Sequence, residues 1–233
     1  MSYYSDGAGY EEAQLAQFCF LHHTQSKAQL MQDLLVLFLT NRKKNGYFVE
    51  FGASNGVTLS NTMLLEELYG WTGILAEPAR GWHKELQIYR QCIIDTRCVT
   101  DRSGDQVLFN ETPDKVYSTI DGYSASDDHY ERRIGGVRYE VDTVSLNDLL
   151  DSHGAPQDID YLSVDTEGSE LLILKALDFR RYRPFVITVE HNYREPMRKD
   201  LHGLLTQEGY NRKFTRLSHF DDWYVSARSG DSQ

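Results

Sequence analysis

Tyr47-Phe48-Val49-Glu50-Phe51, followed at once by Gly52-Ala53-Ser54-Asn55-Gly56, decides how this 233-residue chain reads. Five strand-forming residues run straight into a turn with a glycine at each end. Gly52 and Gly56 let the backbone turn sharply and approach a ligand closely. A helix over about 59–69, closed by Gly70, leads to a second strand over 72–76 that ends on Glu77-Pro78. A helix from about Gly81 to Arg90 and a third strand near 92–100 repeat the rhythm. Strand and helix in alternation are the pattern of a parallel sheet with covering helices.

Beyond the third strand the chain changes character. Residues 104–136 read as a polar insertion, with β-like pieces at 106–110 and 116–120 and a hairpin turn at Gly135-Gly136. Such an insertion at the functional edge of a sheet shapes a substrate site. The α/β rhythm then resumes. The spacing predicts a strand over 137–144, a helix over 145–151 capped by Ser145, a buried strand over 159–164 and a helix over 167–177. A strand over 185–189, a helix over 196–208 stopped by Gly209, and strand-like pieces at 212–216 and 223–227 follow. On the N-terminal side, 11–41 reads as helical, with Leu30, Leu34, Leu37 and Phe38 at helical spacing behind Ser26-Lys27 and a stop at Asn45-Gly46. The first ten residues read as lacking fixed structure. The division is therefore an N-terminal helical extension, 1–45, and an α/β domain, 46–233, with a mostly parallel central sheet and helices on both faces.

The charge balance, 24 basic against 35 acidic residues for a net −11, argues against a protein that grips phosphate backbones. Three cysteines, Cys19, Cys92 and Cys98, are too few for a disulfide scaffold, and Cys92 and Cys98 read as buried free thiols. The longest apolar run, Leu34 to Leu39, falls far short of a membrane span, and the N-terminus lacks a signal-like start. The expectation is a cytoplasmic protein with no nucleic-acid or membrane partner.

Four strands end on polar clusters: Glu50 with the 52–56 turn, Glu77, Asp165-Thr166-Glu167 and Glu190-His191-Asn192. In an open parallel sheet, ligands bind beyond the carboxyl ends of the strands where the strand order reverses. A dinucleotide fingerprint needs glycines at 54 and 57, where Ser54 and Val57 stand, and this disfavours NAD. Two glycines suit a ligand without a pyrophosphate, such as S-adenosylmethionine (SAM), whose carboxylate sits on the start of the next helix. Glu50, Gly52, Ser54, Asn55 and Gly56 are thus cofactor candidates. Glu77 is placed to accept both ribose hydroxyls, and Asp101, after the third strand, to meet the adenine amino group. Trp82 reads as packing or as a ring leaning on the adenosine.

Phe48-Val49-Glu50-Phe51-Gly52-Ala53-Ser54-Asn55-Gly56, Gly70-Trp71-Thr72-Gly73-Ile74-Leu75-Ala76-Glu77-Pro78, and Ile159-Asp160-Tyr161-Leu162-Ser163-Val164-Asp165-Thr166-Glu167-Gly168-Ser169-Glu170 together resemble the FkbM family of SAM-dependent methyltransferases. Val189-Glu190-His191-Asn192 is similar to that family too, and the likeness runs from about Gly46 to Tyr210. It implies a class I, Rossmann-like methyltransferase that methylates hydroxyls on sugars and other natural products. The family's first motif more often opens with Asp where Glu50 stands, a conservative change.

An alcohol is a poor nucleophile near neutral pH, so a base or a metal must take its proton. His191, with an unperturbed pKa near ~6.5, is the natural base, and Asp165 and Glu190 are positioned to converge with it. Asp165 also borders the cofactor. Glu167 is either a further group available at the rim or a cap for the helix it opens. Alternatively, Asp165 and Glu190 hold a hard divalent ion such as Mg²⁺; the residues alone do not choose. The expected acceptor is a small molecule or glycan. The rival readings are an NAD-dependent oxidoreductase on a related fold and a catalytically silent ligand-binding protein.

Overall fold

Every residue of β1 (Tyr47–Phe51) except its first is buried. That is the signature of a strand covered on both faces, and β1 indeed lies inside a seven-stranded sheet. The computed structural model describes residues 7–227. β1 pairs in parallel with β2 (Thr72–Ala76) on one side and β8 (Asp158–Val164) on the other. Outside β2 lies β3 (Ile93–Asp95); outside β8 lie β9 (Arg183–Glu190), β11 (Asp221–Ser226) and β10 (Tyr210–Lys213). β11 is the one strand of this sheet that runs against the rest, antiparallel to both β9 and β10.

Alternate residues of β1 feed different cores, as the two-residue period of a strand requires. Val49 and Phe51 join Leu149, Ile173 and Leu201, contributed by α5 (Leu146–Ser152), α6 (Glu170–Ala176) and α7 (Glu195–Gln207). Phe48 joins Leu15, Leu35, Leu64 and Leu86, contributed by α1 (Gly7–His22), α2 (Gln32–Leu39), α3 (Met63–Tyr69) and α4 (His83–Tyr89). Helices therefore cover both faces.

Several boundaries depart from the expected ones. Of the first ten residues, 1–6 lie outside the described residues, while Gly7 to Tyr10 open α1. The 11–41 helix is two helices with a break at 23–31. Asp33 is the cause: its carboxylate accepts the Ser26 hydroxyl at 2.6 Å and the Lys27 amide at 2.8 Å, so Ser26-Lys27 belong to a loop tied back to α2. The third strand is also two pieces. Asp95 accepts the Arg97 amide at 2.9 Å, turning the chain between β3 and β4 (Cys98–Thr100). β4 then joins a second sheet, in the order β4, β7 (Val137–Ser145), β5 (Gln106–Glu111), β6 (Thr119–Ile120). The polar segment is therefore built on a small sheet of its own, and Gly135-Gly136 leads into β7 rather than closing a hairpin. Ser145 caps α5 as expected, accepting the Asp148 amide at 3.1 Å. The three cysteines are free, with Cys98 buried and Cys92 only half-buried.

Candidate active site

The chain visits β1, β2 and β3 on one side of the sheet and then returns to β8 on the other side of β1. The order reverses between β1 and β8, the place where open α/β sheets bind ligands. Gly52 marks it: with φ +69°, a Cβ there would stand 1.9 Å from the Asp165 carbonyl oxygen. Only glycine lets the two strand ends come this close. A cleft of about 360 Å³ opens above them, lined by Glu50, Gly52, Ser54, Glu77, Asp165 and Glu190 among others.

At one end of the cleft, Glu77 follows β2 and is buried. Its Oε2 accepts the Ser54 amide and its Oε1 the Ala79 amide, each at 2.8 Å. Burial pushes its carboxyl up to about 7 against the pull of those amides. The two donors fix the carboxylate while leaving lone pairs for hydroxyls arriving from the cleft.

Glu50 is occupied differently. One oxygen accepts the Asn61 amide at 2.7 Å; the other accepts the Thr62 hydroxyl at 2.5 Å and lies 3.8 Å from Arg90. Burial raises its carboxyl despite Arg90. The Ser60 hydroxyl accepts the Thr62 and Met63 amides at 3.2 and 3.1 Å. The N–H groups ahead of α3 are thus taken by the chain itself. α3 opens only at Met63, later than expected, and the amides of Asn61, Thr62 and Met63 at its entry already have partners within the chain.

Other candidates stand away from the cleft lining. Asn55 holds its own turn, accepting the Val57 and Thr58 amides at 3.0 and 2.8 Å. Gly56 faces α4, where a Cβ would lie 2.8 Å from both Arg90 Cγ and Leu86 Cδ2. Asp101 follows β4 into the second sheet and sits 3.7 Å from Arg102. Trp82 packs into the core with its ring under Lys115, 4.7 Å from the ammonium. Cys98, Val99 and Phe109 line the cleft in its neighbourhood instead.

At the far end, Asp165 and Glu190 come together as expected, and His191 does not join them. Burial raises the Asp165 carboxyl, with the charges of Glu167, Asp221 and Glu170 adding to it. Burial and then Asp165 raise Glu190, whose Oε2 accepts the Asn192 amide group at 2.7 Å. His191 is fully buried, and its Nδ1 accepts the Tyr193 amide at 3.0 Å. Burial lowers its pKa, although Asp222 lies 3.8 Å from Nε2. The ring braces the turn after β9 and has no lone pair turned to the cleft. Glu167 is outside α6 at φ +59°, so it is not a first-turn cap; it pairs with Arg133 at 2.6 Å, and burial moves it to about 7.

Residues 50–212 match the family model described as the methyltransferase FkbM domain. The chain belongs to the FkbM methyltransferase family. Among curated proteins, none matches the chain. Among solved structures, precorrin-6y C5,15-methyltransferase from Geobacter metallireducens GS-15 is similar at 14% identity, covering 83% of this chain and 85% of that one, with a TM-score of 0.43. The Rossmann-like order of the sheet stands on its own pairings.

The rim of the cleft includes side chains that strand-end reasoning overlooked. Arg133, 1% exposed, pairs with Asp127 at 2.7 Å as well as with Glu167, pinning the 112–136 segment to the rim. Gln32 of α2 lines the cleft and donates to Asp221 at 2.8 Å; burial lifts Asp221 to about 7. Glu170, at the start of α6, is buried behind Asp165 and Glu190. In sequence, Arg133 is one of a crowd of charges at 127–133 and Gln32 one polar residue ahead of a leucine run. Only the Glu170 spacing, inside the Asp165–Glu170 segment, carried a signal. No helix among the described residues is long and apolar enough to cross a membrane.

Proposed function

We propose that this methyltransferase takes its methyl group from SAM, the usual donor of its family and fold, and transfers it to a hydroxyl of a sugar or natural-product acceptor. The observation that supports this reading is the division of the cleft. Glu77, fixed by two amides, stands at the β2 end, and the facing pair Asp165 and Glu190 stands at the β8–β9 end.

Glu77 accepts the ribose hydroxyls, and the turn at Gly52 to Ser54 borders the rest of the cofactor. The methyl group then faces the second pair of acids. The sulfonium is already an electrophile, so geometry supplies most of the catalysis, on the order of 7–11 kcal/mol for a well-placed pair. The hydroxyl proton is taken up at the Asp165–Glu190 end of the cleft, by these acids or by water they hold. The hydroxyl oxygen bonds to the methyl carbon as the carbon–sulfur bond breaks, and the electron pair stays on sulfur. His191 holds the turn that carries Glu190. Gln29 in the loop before α2, Gln32 at the start of α2, and Tyr117 and His129 of the 112–136 segment form the acceptor side of the cleft.

Calorimetric titration with SAM, S-adenosylhomocysteine and NAD tests the cofactor: the first two should bind and NAD should not. Incubation with SAM and a panel of hydroxylated glycosides, read by mass spectrometry, tests the acceptor. Binding of NAD in place of both sulfur nucleosides would sink the reading.

A further inference from the structure

Glu170 has a carboxylate oxygen with nothing to bond. The side chain is 1% exposed. Its Oε1 accepts the amides of Thr166 and Gly168, each at 2.9 Å, and the Thr166 hydroxyl at 3.1 Å. Its Oε2 is buried without a hydrogen-bond partner. Leaving a buried carboxylate oxygen without a partner is costly, and such a group in a native fold calls for an explanation.

The point is shared. One carboxylate oxygen from each of Asp165, Glu170 and Glu190 lies within 4.8 Å of the other two. Among the described residues, no lysine, arginine or histidine forms an ion pair with any of the three; Arg133, the cation of this rim, goes to Asp127 and Glu167. Ligands of one hard cation stand at about 2.0–2.6 Å from it, which places opposite ligands about 4–5 Å apart. The three oxygens fit around a single such centre. Asp165 and Glu190 also line the cleft, so a cation between them meets the cavity on its open side.

We propose that Asp165, Glu170 and Glu190 bind a divalent cation of the Mg²⁺ or Mn²⁺ class, with its cleft-side positions left to water and the acceptor hydroxyl. The site deepens the O-methylation reading and depends on it for the acceptor, while the cation binds with or without one. A bound divalent ion neutralises the mutual repulsion of the three acids and lowers the proton affinity of an oxygen it touches. The hydroxyl proton then leaves to cleft water. The oxygen's electron pair forms the bond to the methyl carbon, and the sulfonium becomes a neutral thioether.

The test uses the full chain stripped with chelator, with its ability to bind S-adenosylhomocysteine checked in the presence of the chelator. Titration with Mn²⁺, followed by electron paramagnetic resonance, should show one ion bound per chain, and Mg²⁺ should displace it. Glu170→Gln should weaken Mn²⁺ binding about tenfold or more, because affinity follows the number of charged ligands. Its amide oxygen still accepts from Thr166 and Gly168, so the α6 entry is retained. Glu190→Gln, read the same way, decides if Glu170→Gln fails to fold, and exposed Asp105→Asn should leave the affinity unchanged. A folded wild-type protein with no stoichiometric Mn²⁺ at millimolar ion overturns the proposal, as does wild-type Mn²⁺ affinity in the folded glutamine variants. Failure of S-adenosylhomocysteine to bind in chelator overturns the cofactor reading instead, whatever the ion does.

Discussion

Glu77 combines two tasks that pull against each other: it must be buried to sit at the floor of the cleft and ionised to accept hydroxyls well. Burial raises its carboxyl from 4.5 to about 7 in the folded chain. A folded pKa above the unfolded one contributes stability that is present in full below the unfolded value and lost as pH rises through the folded one. The wild-type protein without cofactor should therefore lose stability between about pH 4.5 and 7, by up to about 3 kcal/mol from this group. Glu77→Gln should flatten that part of the profile, measured by urea unfolding across the range; an unchanged slope would remove Glu77 as its source. Glu77→Ala should weaken SAM and S-adenosylhomocysteine alike, by roughly 1.5–3 kcal/mol for hydrogen bonds to a charged acceptor. Gly56 behaves differently. A turn glycine facing the cofactor would yield, as Gly56→Val, a folded protein that does not bind SAM. Its actual neighbours are Arg90 and Leu86, at φ +75°. Gly56→Val should instead lower the melting temperature, by disturbing the Arg90 contacts to Glu66 at 2.5 Å and Glu50 at 3.8 Å.

Among the elements, the segment between β5 and β7 depends on one side chain. Arg133 bonds to Asp127 and Glu167 and donates to the Tyr117 carbonyl at 2.9 Å, so it joins three parts of the cleft's outer wall. Removing one partner of a buried pair costs about 3–5 kcal/mol, because the other is left uncompensated. Arg133→Met should loosen 112–136, seen as faster amide hydrogen exchange there with β1 and β2 unchanged. The acceptor KM should rise while SAM affinity holds. Protection unaltered in 112–136 would show that the segment stands without its arginine. The same scale shows why boundaries slipped. A polar residue that bonds its own backbone breaks an element where periodicity runs on: Asp33 does so before α2, Asp95 after β3 and Asn55 in the turn before α3.

Across the whole molecule, the 1–45 segment is an extension by position yet shares a core with the sheet. Leu34, Leu35, Val36 and Leu37 are 0–1% exposed and pack with Phe48, Trp71 and Leu75. Leu35→Ala should cost about 2–5 kcal/mol. The loss should appear in one transition, with fluorescence and circular dichroism melting together; separate transitions would make 1–45 an independent unit. By itself the sequence determined the alternation of strands and helices, the buried β1 and β8, the polar strand ends and the family. These depend on local period, on turn chemistry and on motif residues that sit next to one another in the chain. Which acids meet was decided by tertiary structure alone. His191 and Glu190 are neighbours in sequence, yet the two-residue alternation at the end of β9 sends Glu190 to the cleft and buries His191, 3.8 Å from Asp222 of β11. Arg133 reaches the same rim from a distant segment, and no spacing in the chain encodes that convergence. Burial, which raises the carboxyls of Glu77, Asp165 and Glu190, exists only once the strands have paired and the helices have closed over them.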